Sequence, residues 1–301
     1  MAETDILVDN PGTRTPENGW FRFRIGEIEA TIVSDGRMLP HDVAAFFPGL
    51  QPDDLTAAKA QAGVDGTHFS MEQNCLVLRY PGHVVLFDTG VGTDPVYGWA
   101  HSGLLLRSMA AAGIDPAEVT EVVLTHAHSD HAWGLTDAAG VRNFPNAQVL
   151  VPRVDFDHWT DLAKVALGGF TADFILGARR NLLAYQDRLT LFDGEAEILT
   201  GIRAVASPGH SPGHCSYIIG SGQDRCLFLG DVVHTGHLQM ANPGWAFAYD
   251  HDPVQAVATR KALLTRAAAE GLNVIGYHFD FPGLGKVRSE GAGFRFQPAT
   301  P

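Results

Sequence analysis

The chain has 301 residues, with 34 acidic and 21 basic side chains, a formal net charge of −13 and 45% hydrophobic residues. That hydrophobic share supports a packed core. The acidic balance argues against a nucleic-acid partner, because phosphate backbones would be repelled. No apolar run is long enough to span a bilayer. The first ten residues carry acids and no basic stretch leading into an apolar one, so no secretory signal is read and a cytoplasmic location is expected. Cys75, Cys215 and Cys226 form no CxxC pair, which argues against a disulfide framework.

Residues 1–20 are polar and turn-rich and read as an N-terminal arm, leaving 21–301 as one domain. Two alternating runs, 21–25 and 28–33, read as a hairpin turning at Gly26-Glu27. Residues 36–66 are loop-rich, with a short helix expected at 52–62. Strands follow at 75–79 and 83–87, separated by Pro81-Gly82, and the second ends in Asp88-Thr89-Gly90. A helix is expected over 101–112, then a short apolar strand at 122–125. A second cycle gives a strand at 148–151, helices across 155–185, and strands near 188–192, 197–206, 214–219 and 226–229. The last clear helix is Pro253–Glu270, with Asp252 as N-cap and Gly271 as its stop. Residues 274–276 read as the final strand. Strands in small groups with helices between them give an α/β fold of four layers, αββα: two mixed β-sheets packed face to face, with helices outside.

The chemistry concentrates where the 122–125 strand ends, in Leu124-Thr125-His126-Ala127-His128-Ser129-Asp130-His131. Four potential ligands fall within six residues. His126 and His128 are two apart, so on extended chain they point the same way, while Asp130 and His131 follow a turn and can face a second ion. Imidazole and carboxylate together suit zinc, iron, manganese or cobalt. Downstream, Pro208-Gly209-His210-Ser211-Pro212-Gly213-His214 forms a tight turn presenting His210. The apolar run 227–229 ends in Gly230-Asp231, and an unpaired carboxylate there would be costly without an ion. Tyr277-His278 follows the last short strand.

This set resembles the metallo-β-lactamase superfamily over about residues 22–299. The resemblance implies that His126, His128 and His210 bind one metal, that Asp130, His131 and His278 bind a second, and that Asp231 bridges both. The stretch from His278 to Gly285, with 291–296, is similar to the methyl parathion hydrolase branch, as are Asp155 to Trp159 and Phe170. The branch resemblance implies aromatic pocket residues here, so Trp159 and Phe170, with Tyr97 or Trp99, become candidates for contact with substrate; Trp245 is a further candidate outside that resemblance. The chain departs from that branch in lacking an export signal, in Lys286 of the terminal loop, and in its own Trp245-Ala246-Phe247 segment. Asp88, ending a neighbouring strand, and His214 are expected to support ligands by hydrogen bonds rather than to bind metal.

The expected activity is that of a dinuclear-metal hydrolase with two divalent ions, zinc foremost, about 3.5–4 Å apart. A water shared between them ionises near neutral pH, and the hydroxide attacks a small apolar or aromatic ester-like substrate: a phosphotriester, a lactone or an aryl ester. Asp130 and Asp231 are the candidate catalytic carboxylates, Asp231 as proton acceptor. His234 and His237 follow Asp231 closely and can face the pocket, although surface or satisfied core histidines are the commoner case. The alternatives are hydrolytic dehalogenation of an aromatic compound and persulfide oxidation at a single iron; the intact ligand set counts against the second and against a purely binding role. The partner expected is a small molecule, with neither nucleic acid nor membrane, and a homodimer is left open.

Overall fold

The computed structural model describes residues 19–38, 41–62, 68–69, 71–93 and 101–299. The first sheet holds β1 (Trp20–Ile25) and β2 (Ile28–Arg37). After a separate two-stranded ribbon of β3 (His41–Asp42) and β4 (His68–Phe69), it continues with β5 (Glu72–Tyr80), β6 (His83–Phe87), β7 (Glu121–Val123), β8 (Gln148–Pro152) and β9 (Leu189–Phe192). Its order is β1-β2-β5-β6-β7-β8-β9, antiparallel as far as β6 and parallel from β6 to β9.

The second sheet runs in sequence order: β10 (Glu197–Leu199), β11 (Ile202–Ala206), β12 (Cys215–Ser221), β13 (Asp224–Phe228), β14 (Asn273–Ile275), β15 (Leu284–Glu290) and β16 (Gly293–Pro298). Its one parallel pair is β13 with β14. Each sheet is therefore mixed. They meet face to face: Phe87 at the end of β6 packs 5.2 Å from Tyr217 and 5.5 Å from Phe228 (ring centroids). One buried cluster takes in Leu76, Val85 and Val123 from the first sheet and Ile219 and Ile275 from the second.

The helices are α1 (Val43–Phe46), α2 (Pro52–Ala62), α3 (Leu105–Ala111), α4 (Ser129–Ala132), α5 (Arg153–Trp159), α6 (Gly169–Leu183), α7 (Leu238–Ala241) and α8 (Pro253–Glu270). α8 lays Leu263, Leu264 and Ala267 against Leu227, Val274 and Val287, covering the outer face of the second sheet. It starts as its sequence dictates, with the Asp252 carboxylate accepting from Val254 and Gln255 N–H, and ends at left-handed Gly271. The result is the expected αββα sandwich. Among the described residues no helix is long and apolar enough to cross a membrane.

Several boundaries differ from expectation. β1 begins at Trp20, inside the stretch read as an arm, of which 1–18 lie outside the described residues. The third helix starts at Leu105 rather than 101, because His101 and Leu104 instead bond β2: Arg37 N–H donates to His101 O, and Leu104 N–H to Asp35 O. The single strand expected over 197–206 is a hairpin, broken where Gly201 takes φ +74°. Residues 274–276 are not the last strand; β15 and β16 follow, and Lys286 lies in β15 rather than in a loop. β15 mixes glycine with charged residues, so its strand state comes from pairing with β14 and β16.

Ligand-bearing segments leave the strands at one edge. β6 and β7 run parallel and end before Asp88 and before Leu124-Thr125-His126. In the second sheet β11, β13 and β14 share a direction, since β12 is antiparallel to both β11 and β13. Their carboxyl ends lead into His210, Asp231 and His278. α6 packs beneath this edge, and a Cβ on its Gly177 would come within 1.9 Å of the Trp133 ring. Alanine is favoured over glycine in a helix by up to about 1 kcal/mol, but overpacking costs about 1–3 kcal/mol. Gly177→Ala should therefore lower stability in urea unfolding by about 1–2 kcal/mol.

Candidate metal centre

All seven residues expected as ligands are buried and converge. Donor atoms of His126, His128 and His210 lie within 4.8 Å of one another, as do those of Asp130, His131 and His278, and those of His126, His131 and Asp231. Asp231 stands between the triads. Its Oδ1 is 3.2 Å from His131 Nε2, and its Oδ2 is 3.2 Å from His210 Nε2 and 3.3 Å from His278 Nε2. The Nε2 atoms of His126 and His131 and the Oδ1 of Asp231 are buried with no hydrogen-bond partner. Orphaned buried atoms of this kind are rare and costly in proteins, and five imidazoles with two carboxylates form a donor set that divalent zinc-like ions complete. The residues fit a dinuclear metal site.

The rings are held from behind, leaving their inner nitrogens for metal. Asp88 accepts from Thr125 N–H, Thr125 Oγ–H and His131 Nδ1–H, each at 2.8 Å. With its own proton on Asp88, the Thr125 hydroxyl oxygen accepts from His126 Nδ1 at 3.0 Å. One carboxylate thus sets two ligand rings, and Asp88 holds a left-handed φ of 56° to do so. His278 Nδ1–H donates to Glu72 O at 2.8 Å. His210 Nδ1 faces Asp250 Oδ1 at 3.3 Å, and Asp250 pairs in turn with fully buried Arg260.

His214 is not in any of these triads. Its Nε2 accepts from Asp231 N–H at 3.0 Å, and its Nδ1 bonds Ser207 Oγ at 2.7 Å. It thereby fixes the backbone that carries Asp231. Gly230 makes this possible: it takes φ +57°, and a Cβ there would come within 2.6 Å of His214 Nε2.

Asp155 ties the two ligand loops together, accepting from Ala127 N–H at 2.7 Å, Gly213 N–H at 3.1 Å and the Ser211 hydroxyl. Its anchoring role was not legible in the sequence, because its partners, two backbone N–H groups and a serine hydroxyl, lie 28 to 58 residues away.

Burial holds His126 and His128 well below the usual imidazole range, reinforced by neighbouring imidazoles, so both stand neutral and ready to ligate. Burial opposes charge on His131 and His210 too, but carboxylates outweigh it. Asp231 with Asp130 and Asp88 lifts His131 well above its ordinary value, and Asp231 with Asp250 lifts His210 to about 9. Burial pushes His234 down to about 4 against the pull of Asp231.

The cage floors a cavity of about 290 Å³ whose upper wall is Met38, Phe46, Met71, Phe170, Phe174, Phe247 and Tyr249. Half-exposed Phe170 stacks on Tyr249 at 5.8 Å across the mouth. Of the described aromatics expected at substrate, only Phe170 lines this cavity. Trp159 is buried behind the cage, 4.9 Å from the His128 ring, with its Nε1–H given to Ser211 Oγ. Trp245 packs on Phe47 instead. Tyr97 and Trp99 lie outside the described residues. The sequence reading missed Phe46, Phe174, Phe247 and Tyr249; the i, i+4 spacing of Phe170 and Phe174 on α6 was the one available clue. For His234 it ranked a surface or core position above the pocket; this ring is buried and lines the cavity. His237, by contrast, is exposed and pairs with Asp280.

The family model described as "Metallo-beta-lactamase superfamily" matches residues 71–278. N-acyl homoserine lactonase AttM of Azorhizobium caulinodans is 34% identical over 228 residues, 68% of this chain and 82% of that protein. Among solved structures, AidC, a dizinc quorum-quenching lactonase in complex with a product, superposes with a TM-score of 0.85 at 26% identity, covering 93% of this chain and 97% of that one. The hydrolase AbOPH of the beta lactamase superfamily gives the same score, identity and coverage.

Two outcomes follow from the geometry. Asp88→Asn keeps shape but loses the acceptor that orients His131, so metal affinity should fall about 10- to 100-fold in chelator competition, with the fold retained by circular dichroism. Protons on His131 and His210 in the ion-free chain must leave when ions bind. Zinc titration at pH 7 should therefore release protons, and affinity should weaken as pH falls from 9 to 6, by up to about tenfold per proton per pH unit.

Proposed function

Because this chain belongs to the metallo-beta-lactamase superfamily and is a metal-dependent hydrolase, we propose that it hydrolyses a small, largely apolar lactone using two zinc ions held by His126, His128, His210, Asp130, His131, His278 and Asp231. One observation carries the reading: the complete cage opens at the floor of an apolar cavity large enough for a small acyl compound. The lactonase named among the relatives and the dizinc lactonase among the structures support the substrate class and the metal. When bound, the ions would supply a Lewis acid for the carbonyl oxygen and a water ionised near neutral pH.

The chain's own residues do the rest. Phe46, Phe170, Phe174, Phe247 and Tyr249 take up the apolar part of the substrate and displace water, which strengthens every polar interaction at the floor. Asp88, Thr125, Glu72 and Asp250 fix the imidazoles, so the cage needs no rearrangement during turnover. Water adds across the acyl–oxygen bond of the ring, giving a hydroxy acid. Asp231, at the centre, would take the proton released on attack and pass it to the ring oxygen as the acyl–oxygen bond breaks.

The C-terminal stretch similar to the methyl parathion hydrolase branch keeps a phosphotriester as the second substrate to try, since an apolar cavity over this cage accommodates either. AttM and AidC carry lactonase names, whereas AbOPH is named only as a hydrolase.

Metal analysis with turnover on a lactone, a phosphotriester, an aryl ester and a halogenated aromatic tests this directly. Near two zinc per chain and chelator-sensitive lactone opening is the expected result; one iron per chain, or turnover of another class alone, would overturn it. Asp231→Asn should reduce turnover about a hundredfold or more, beyond its loss of metal. Equal losses of metal and rate would remove the proton role.

A further inference from the structure

Tyr277 touches every member of one metal-capable triad without offering it a ligand. It lies two residues beyond β14 and immediately precedes His278, whose ring it meets edge-on at 5.0 Å and 85°. Its own ring is fully buried and packs 4.1 Å from the His131 ring at 32°. Its hydroxyl donates to the Asp130 carbonyl oxygen at 2.5 Å. Asp130, His131 and His278 are the three residues whose donor atoms converge for the second ion. Among the described residues, none of its ring contacts falls on His126, His128 or His210.

The turn bearing two of those ligands has little support of its own. Asp130 and His131 lie in α4, a single helical turn, and so short a helix does not hold itself. In a longer helix the Asp130 carbonyl would accept the N–H four residues on. That group, on Gly134, donates to Gly90 O instead, and the Trp133 N–H goes to Ser129 O. The Tyr277 hydroxyl fills the place, reaching across 147 residues. The next carbonyl, on His131, is held by the Thr89 N–H at 2.7 Å and the Thr89 hydroxyl at 3.0 Å. Tyr277 is itself fixed to the first sheet, because its carbonyl accepts from Asn74 N–H at 2.9 Å. The first triad is braced elsewhere, by Thr125 behind His126 and by Asp250 facing His210.

We propose that Tyr277 is a positioning residue for the second ion: its hydroxyl and ring hold the Asp130–His131 turn against the segment carrying His278, so that affinity for that ion, and not for the first, depends on it. The inference rests on the two-ion reading of the cage and on no particular substrate. A buried carbonyl left without its donor is costly. The turn escapes that cost by shifting, and a shift displaces two ligands of one ion together. Asp88 differs in reach, since through Thr125 it orients a ring of each triad.

Zinc-loaded wild type, Tyr277→Phe and Tyr277→Leu are titrated with a chromophoric chelator, and the zinc retained per chain is counted at each free-zinc concentration. Tyr277→Phe should give up its second ion at a free-zinc concentration about 10- to 100-fold higher than the wild type does, while the first ion is held as in the wild type. Tyr277→Leu, which also lacks the ring on His131, should lose the second ion more readily still. The ion that stays shows that this edge is folded. On whichever substrate of the panel the wild type cleaves, the rate of Tyr277→Phe should fall at limiting zinc and return when zinc is in excess. Wild-type retention of both ions in Tyr277→Phe would overturn the proposal, and so would equal weakening of both, the mark of a merely structural role. A rate deficit that excess zinc does not repair would overturn it as well. A wild type that holds fewer than two ions sinks the two-ion reading and this inference with it. A wild type with two ions, matched by its Tyr277→Phe variant, sinks the inference alone.

Discussion

Asp231 sets a buried carboxylate amid imidazoles, and much of the structure at this edge answers to that charge. An ionised carboxylate taken out of water is costly unless it is paired and hydrogen-bonded. Here His131, His210 and His278 approach it within 3.2–3.3 Å, and His214 accepts its backbone N–H. The imidazoles, crowded by one another as well as by burial, need a compensating charge in turn. Two divalent ions reconcile the two demands, since they replace protons on the rings and neutralise the carboxylates together.

Holding such a cage requires anchors from distant parts of the chain. Asp88 reaches across from the end of β6 to orient His131 and, through Thr125, His126. Asp155 joins the HxHxDH loop to the turn bearing His210. Arg260, fully buried on α8, holds the carbonyls of Val232 and Trp245 at 2.7 Å while pairing with Asp250, which faces His210. That last link joins a ring of the cage to the segment carrying Phe247, so cage and cavity wall share one support. Each anchor is a carboxylate or a guanidinium whose partners include backbone groups, which fixes loop position as well as side-chain angle.

The two halves of the site divide the chemistry. The floor is charged and rigid; the wall is apolar, aromatic and open at Phe170 and Tyr249. A floor of this kind acts on any polarised acyl or phosphoryl centre, so discrimination falls to the wall.

The sequence by itself determined the cage. HxHxDH at the end of one strand, His210 in a Pro-Gly-His turn, Gly-Asp ending another strand and a late His278 are dense local signals, and the αββα layering followed from grouped strands alternating with helices. Helix α8 was legible to its caps, because capping chemistry is local. Only the tertiary structure decided the C-terminal hairpin, the anchoring by Asp155 and Arg260, the retreat of Trp159 and Trp245 from the cavity, and the arrival of Phe46, Phe174, Phe247, Tyr249 and His234 in its wall. The physical reason is the range of the forces involved. Ligand spacing and caps are written within a few residues, whereas which face of a ring meets a cavity depends on packing against residues as far apart as Phe46 and Phe247, whose rings lie 5.3 Å from one another.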